Sequence, residues 1–256
     1  IRGITDSGCS VLDIGMVVTP VFYYSRLLYD IEPGVMITGS HNPKEYNGFK
    51  LALGPGTIFG RKILELREAI EQEDFETGAG EVDRADPLPS YIEMIKQKIS
   101  LGPRHLKVVV DCGNGTASLV APRLLRELGC AVVELYCESD PSYPNHHPDP
   151  VRSANLTDLQ ETVVRTGADF GVAYDGDADR IGVVDDAGNI IWGDSLMILF
   201  WREILKKHPG TDCIIEVKCS QALVDEVKRL GGKPQFFKTG HSLIKARMRE
   251  IGAVFT

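Results

Sequence analysis

The stretch Phe170-Gly171-Val172-Ala173-Tyr174-Asp175-Gly176-Asp177-Ala178-Asp179-Arg180-Ile181-Gly182-Val183-Val184-Asp185 sets three carboxylates at alternate positions between two apolar runs. Each run has the length and apolar content of a buried strand, so strands are predicted at Phe170–Tyr174 and Arg180–Asp185. Gly176 lets the chain turn tightly between them. Three carboxylates on such a turn can converge on one hard cation, and oxygen ligands of this kind suit Mg²⁺. Two of them about 4 Å apart repel by roughly 4 kcal/mol at an effective dielectric of 20, against about 1 kcal/mol in water. Inside a cleft the turn therefore needs a cation, whereas fully exposed it is only a solvated acidic turn. It is not an EF-hand, because Arg180 stands where that loop needs Gly and Asp186 where it prefers Glu.

Outward from this turn, short apolar strands alternate with amphipathic helices, which is an α/β pattern. Further strands are predicted at Val35–Thr38, Leu106–Asp111, Ala131–Tyr136, Cys213–Val217 and Gln235–Phe237. Helices are predicted at Lys62–Glu73, Ser90–Ile99, Ser118–Leu128, Leu156–Thr166, Ser195–Lys207, Gln221–Leu230 and Ser242–Ile251. These elements are too many for one small sheet. The acidic, Gly-containing stretch Glu73–Pro89 has no sustained periodicity and marks a boundary. Three consecutive mixed α/β domains of related topology are expected at 1–88, 89–188 and 189–256. The last would open with a strand at Asn189–Trp192, and the run Ala253–Thr256 reads as an unfinished strand.

The chain has 256 residues, 43% hydrophobic and 25% charged, the balance of a globular protein able to bury more than one core. Lys and Arg number 28 against 36 Asp and Glu, giving −8, so the general attraction that carries nucleic-acid binding is absent. No apolar run approaches the roughly 20 residues that cross a bilayer. A cytoplasmic protein without nucleic-acid or membrane partners is the expectation. Six Cys are scattered with no CxxC pair and are expected to be reduced and mostly buried.

Four further motifs carry candidate chemistry. Thr38-Gly39-Ser40-His41-Asn42-Pro43 follows a strand, and such a turn exposes the Ser40 hydroxyl beside His41. Asn42, Asn47 and Lys50, the last in Asn47-Gly48-Phe49-Lys50, add donors for anionic oxygens. Lys218 and Lys238-Thr239-Gly240-His241-Ser242 each follow a strand, where open α/β sheets place ligands, although Ser220 and Ser242 equally read as helix caps. Asp111-Cys112-Gly113-Asn114-Gly115-Thr116 reads as a tight connection, lacking the P-loop Lys. Asn145-His146-His147-Pro148-Asp149-Pro150 reads as a structural loop at a domain contact, since adjacent histidines point apart and no metal-ligand spacing follows.

In this order, TGSHNP with NGFK, NHHPDP, DGDADR and KTGHSLIK resemble the α-D-phosphohexomutase superfamily, in its bacterial phosphomannomutase/phosphoglucomutase branch. The resemblance covers nearly the whole chain. It implies a phosphorylated nucleophile at Ser40, which is also a metal ligand, and Mg²⁺ held by Asp175, Asp177 and Asp179. It further implies Lys50 as a general acid/base, His41 and Asn42 in the serine loop, and Arg180, Lys218 and His241 facing the sugar phosphate. Arg2, in the opening Ile1-Arg2-Gly3, matches the family's catalytic arginine, and a gap of roughly 60 to 70 residues is then expected after Ile4. A fourth, C-terminal domain of the family would lie beyond Thr256. The implied reaction interconverts hexose 1-phosphate and hexose 6-phosphate, of mannose or glucose, with a hexose 1,6-bisphosphate as intermediate and activator. The implied protein is a monomer. The rival readings are a haloacid-dehalogenase-like phosphotransferase with Asp175 as nucleophile and a phosphosugar-binding protein without turnover.

Overall fold

The computed structural model describes residues 1–43, 45–54 and 56–256. In chain order the elements are α1 (Arg2–Asp6), β1 (Val11–Asp13), α2 (Thr19–Leu28), β2 (Gly34–Thr38), β3 (Gly48–Leu53), β4 (Gly56–Thr57), α3 (Arg61–Glu71), β5 (Val82–Arg84) and α4 (Leu88–Lys98). There follow β6 (Lys107–Asp111), α5 (Ala121–Glu127), β7 (Ala131–Leu135), α6 (Thr157–Thr166), β8 (Phe170–Tyr174), β9 (Ile181–Asp185) and β10 (Ile190–Ile191). The chain closes with α7 (Gly193–Lys207), β11 (Asp212–Glu216), α8 (Gln221–Arg229), β12 (Lys233–Phe237) and α9 (His241–Ile251). It divides into two compact units, the second comprising Ile191–Thr256 and a short piece ending at Thr57.

The centre of the first unit is a five-stranded sheet in the order β10-β9-β8-β6-β7. β6 pairs in parallel with β7 and β8, and β8 pairs antiparallel with β9 across the turn that carries the three aspartates. Val108, Val109 and Val110 are wholly buried, as expected of a strand covered on both faces. Helix α6 buries Leu159 and Val163 against Val109, Ala173 and Val184 and ends at Gly167, whose left-handed φ of 60° supplies the C-cap. Earlier in the unit, β1 pairs in parallel with β5, and β2 with β3 forms an antiparallel hairpin in which Met36 faces Lys50. Helix α2 contributes Val21 and Phe22 to a second core with Ala52, Ile92 and Val120.

In the second unit β11 and β12 run in parallel, and a core of Trp201, Leu205, Cys213, Ile215, Leu223, Val224 and Val227 forms between α7, α8 and β11. Among the described residues no helix is long and apolar enough to cross a membrane.

Four local expectations fail for identifiable reasons. The helix predicted at Ser118–Leu128 is split into a 3₁₀ turn, Thr116–Leu119, and α5, because Pro122 has no N–H to continue an α-helical ladder and instead sits in the first turn of α5. The strand expected at Asn189–Trp192 to open the third domain is β10, the edge strand of the preceding sheet. Ala253–Thr256 forms no strand. Gly252, at φ 66°, turns the chain out of α9 and Phe255 packs edge-on against Trp201. No break follows Ile4: α1 runs through the Ile4-Thr5 junction, with the Thr5 N–H donating to the Ile1 carbonyl at 3.1 Å and the Ser7 N–H to that of Ile4 at 3.3 Å.

Candidate active site

Ser40 leaves the end of β2 with φ of +48°, a left-handed conformation that a side chain adopts only when its surroundings impose it. The Ser40 N–H donates to Thr38 Oγ1 at 3.0 Å, and the Asn42 N–H donates to the Gly39 carbonyl at 2.8 Å, closing the turn. The aspartate turn presses on this loop from the sheet side. A Cβ placed on Gly176 would stand 2.3 Å from the Ser40 carbonyl oxygen, so only glycine admits this approach. The Gly176 carbonyl is in turn held by the N–H and hydroxyl of Thr116, at 3.0 and 2.9 Å. The segment read as a tight connection thus buttresses the aspartate turn.

The three aspartates each do something different. Asp175, wholly buried, accepts the N–H groups of Asp179 and Arg180 on Oδ1, at 2.9 and 3.0 Å, and the Ser40 hydroxyl on Oδ2 at 2.6 Å. Asp177 Oδ2 accepts the Thr38 hydroxyl and the Lys50 ammonium, both at 2.7 Å. Lys50 also donates to Asp179 Oδ2 at 2.7 Å and to Thr19 Oγ1 at 2.9 Å, while the Thr19 N–H donates to the Asp177 carbonyl at 2.8 Å.

Carboxylate oxygens of Asp175, Asp177 and Asp179 lie within 4.8 Å of one another. Asp177 Oδ1 is buried without a hydrogen-bond partner among the described residues. An orphaned buried carboxylate oxygen beside two others is the donor set a divalent cation takes up, so these residues fit the metal that the sequence implies.

The electrostatics follow from burial and charge pairing. Burial pushes the Asp175 carboxyl up to about 6; the Ser40 hydrogen bond opposes this and the neighbouring aspartates reinforce it. For Asp177 burial acts in the same sense, but the hydrogen bonds and charge of Lys50, with the Thr38 hydroxyl, outweigh it and hold the group below the usual carboxylate value. Lys50 is raised, because hydrogen bonds to Asp177 and Asp179 overcome its desolvation. Burial, then the charge of Arg180, lowers His41, so its imidazole is neutral at neutral pH, with Nδ1 at 3.1 Å from Ser40 Oγ. Among the described residues the Arg180 guanidinium makes no hydrogen bond or ion pair, which leaves its donor fork available to an anion.

Of the sequence-predicted residues, Ser40, His41, Lys50, Asp175, Asp177 and Asp179 are brought together, with Arg180 directly after them. Asn42 is exposed at the turn. Lys218 and His241 belong to the second unit, just beyond the adjacent C-terminal ends of β11 and β12, and Lys218 is ion-paired with Glu216 at 3.2 Å. Arg2 is a correction. Its side chain is 93% exposed on α1 and pairs with Asp6 one helical turn away, so it contacts none of the site residues. The tripeptide Ile1-Arg2-Gly3 is here the start of a short helix with no buried residue rather than a catalytic loop. Thr19, Thr38 and Thr116 hold the site and were not singled out as site residues in the sequence, because a threonine that bonds a distant carboxylate or carbonyl looks like any other from its neighbours alone.

Three family models match the chain: Phosphoglucomutase/phosphomannomutase, alpha/beta/alpha domain I at residues 1–77, domain II at 89–188 and domain III at 192–256. The first of these begins before the junction after Ile4 and extends beyond it. A phosphomannomutase/phosphoglucomutase of Pseudomonas aeruginosa is 48% identical over 254 residues, 99% of this chain and 55% of that protein. A phosphoglucomutase of Neisseria gonorrhoeae is 43% identical over 255 residues, again 99% of this chain and 55% of the relative. The crystal structure of a phosphoglucomutase/phosphomannomutase family protein from Burkholderia thailandensis superposes with a TM-score of 0.94 at 44% identity, covering 98% of this chain and 56% of that one. The chain therefore spans about 55% of the length of the curated relatives it matches. With its three matched segments in the family's order, the chain belongs to the phosphoglucomutase/phosphomannomutase family.

Proposed function

We propose that this chain supplies the phosphoserine and metal-binding machinery of an enzyme that interconverts hexose 1-phosphates and hexose 6-phosphates of mannose or glucose. The observation that carries the reading is the Ser40 hydroxyl, held 2.6 Å from Asp175 at the edge of a three-carboxylate cluster with an orphaned oxygen. Asp175, Asp177 and Asp179 would hold Mg²⁺, joined by an oxygen on Ser40, and the ion when bound would supply positive charge to the phosphoryl oxygens. A phosphoryl group on Ser40 carries about −2. Three carboxylates, Lys50 and Arg180 then leave the centre at about −3, and a divalent cation reduces this to about −1.

In this reading phospho-Ser40 gives its phosphoryl group to a sugar hydroxyl, and the hexose 1,6-bisphosphate so formed returns its other phosphoryl group to Ser40. The chain's own residues would position and neutralise the reacting group. Lys50, within reach of two carboxylates and the Thr19 hydroxyl, is suited to moving the proton of the accepting hydroxyl. Arg180 and Asn42 would orient phosphoryl oxygens, and the family likeness extends sugar-phosphate binding to Lys218 and His241. The segments 1–88, 89–188 and 189–256 are proposed as the corresponding domains, and a cytoplasmic monomer as the form of the protein. A haloacid-dehalogenase-like reaction at Asp175 has no support, since both oxygens of that buried carboxylate are engaged by Ser40 and by two backbone amides.

The test is incubation with glucose 1,6-bisphosphate and Mg²⁺, followed by peptide mass spectrometry. Acid-stable phosphate on the Ser40 peptide is expected, together with interconversion of mannose and glucose 1- and 6-phosphates by the whole protein. Phosphate on Asp175 with none on Ser40 would refute the reading, and binding of these sugars without turnover would reduce the protein to a carrier.

A further inference from the structure

The loop Asn145–Pro150 lies between β7 and α6 and takes no part in the reaction described above. Its two histidines reach in opposite directions. His146 Nε2 lies 3.0 Å from Asp111 Oδ2, a wholly buried carboxylate at the end of β6, and His146 Nδ1 lies 3.0 Å from the His147 carbonyl. That carbonyl also accepts the Asp149 N–H at 2.8 Å. The backbone of His147 is thereby tied to β6, an interior strand of the sheet. Its ring stands edge-on to Tyr143, with centroids 6.2 Å apart at 84°, and its Nε2 donates to the carbonyl oxygen of His41 at 2.6 Å.

The acceptor matters because of where it is. His41 follows Ser40 directly, and its carbonyl accepts no backbone N–H among the described residues. Ser40 is in a strained left-handed conformation, fixed on one side by Thr38 Oγ1 and by the approach of Gly176. The bond from His147 fixes the peptide on the other side. We propose that His147 is a positioning residue for the Ser40 nucleophile, acting through the His41 carbonyl and tied through His146 and Asp111 to the sheet. The inference rests on Ser40 being the phosphoryl acceptor. A hydrogen bond of this kind contributes modestly to stability, but a small displacement of a nucleophile can cost up to about a hundredfold in rate.

The experiment is rapid-quench measurement of phosphoryl transfer from glucose 1,6-bisphosphate to Ser40 in the whole protein, read by intact mass. His147→Leu, which keeps bulk but loses the donor, should slow the transfer roughly tenfold or more, with the half-saturating bisphosphate concentration changed by less than about twofold. His147→Gln, whose amide can still donate, should recover most of the rate. An unchanged rate in His147→Leu overturns the proposal, and so does a Gln variant as slow as the Leu one. If His147→Leu does not fold, His147→Phe against His147→Gln gives the same comparison. Wild-type protein that gains no phosphoryl group at Ser40 defeats the functional reading itself and this proposal with it; a phosphorylated wild type with an indifferent His147 defeats this proposal alone.

Discussion

Strands β2 and β3, which carry Ser40 and Lys50, bury only Ala52 between them, whereas β6, β8 and β9 bury most of their residues in the sheet that carries the aspartates. The helices differ in the same way. Helix α3 buries nothing and leaves Ile63, Leu64, Leu66 and Ile70 exposed, while α6 buries Leu159 and Val163 completely. One half of the site thus rests on apolar packing. The other is held to it by polar contacts: Ser40 to Asp175, Thr38 and Lys50 to Asp177, and His147 to His41. Placing the acidic cluster on the packed sheet makes sense physically, because mutual repulsion would spread carboxylates on a loose support. The lesson is that the nucleophile's hairpin, anchored in the second core only through Ala52 and Met36, takes its alignment with the acidic cluster from polar contacts.

The contrast can be broken experimentally at several points. Ser40→Ala should abolish the phosphoenzyme and lower mutase activity of the whole protein by about 10³-fold or more, with its circular dichroism unchanged. Leu159→Ala removes a side chain with no exposure from the sheet core and should destabilise by about 3 kcal/mol in urea unfolding. Lys50→Met leaves Asp177 and Asp179 without their common cation. A loss of about 2 kcal/mol is expected without divalent metal, with part of the Tm regained when Mg²⁺ is added.

The pH dependence is subtler. Asp175 is raised from 3.8 to about 6, so its uncharged form is favoured in the fold, and its contribution to stability, complete below about pH 4, disappears as pH rises through about 6. Asp177 is lowered and has the opposite sign, its contribution being lost in acid as pH falls through its depressed value. A cation requires Asp175 charged. The rise in Tm on adding Mg²⁺ should therefore be larger at pH 7 than at pH 5. Leu66→Ala on α3 closes the series, with an expected change within about 0.5 kcal/mol. If it matched Leu159→Ala, the asymmetry between the halves would not hold.

Much of this was legible in the sequence because the decisive residues are close together in the chain. The apolar run, acidic turn and apolar run of 170–185 gave both the β8–β9 hairpin and the three converging carboxylates. Ser40 and Lys50 were legible because a short hairpin joins them. What escaped depends on distance or on context. Thr19 meets Lys50 from a different element, and His147 meets His41 across 106 positions, and neither contact leaves a local pattern. Arg2 shows the opposite error. Three residues resembling a motif carry too little information to outweigh the helix in which they sit. Pro122 likewise fits a helical apolar pattern while forbidding its hydrogen bond.

The contact of Gly176 with the Ser40 carbonyl is an approach of main chain to main chain, with no side chain between them. The gap between nucleophile and acidic cluster is consequently measured in peptide dimensions, which are the same in every protein. Adding a single methyl group at residue 176 would lengthen the ruler itself and separate the two halves of the chemistry.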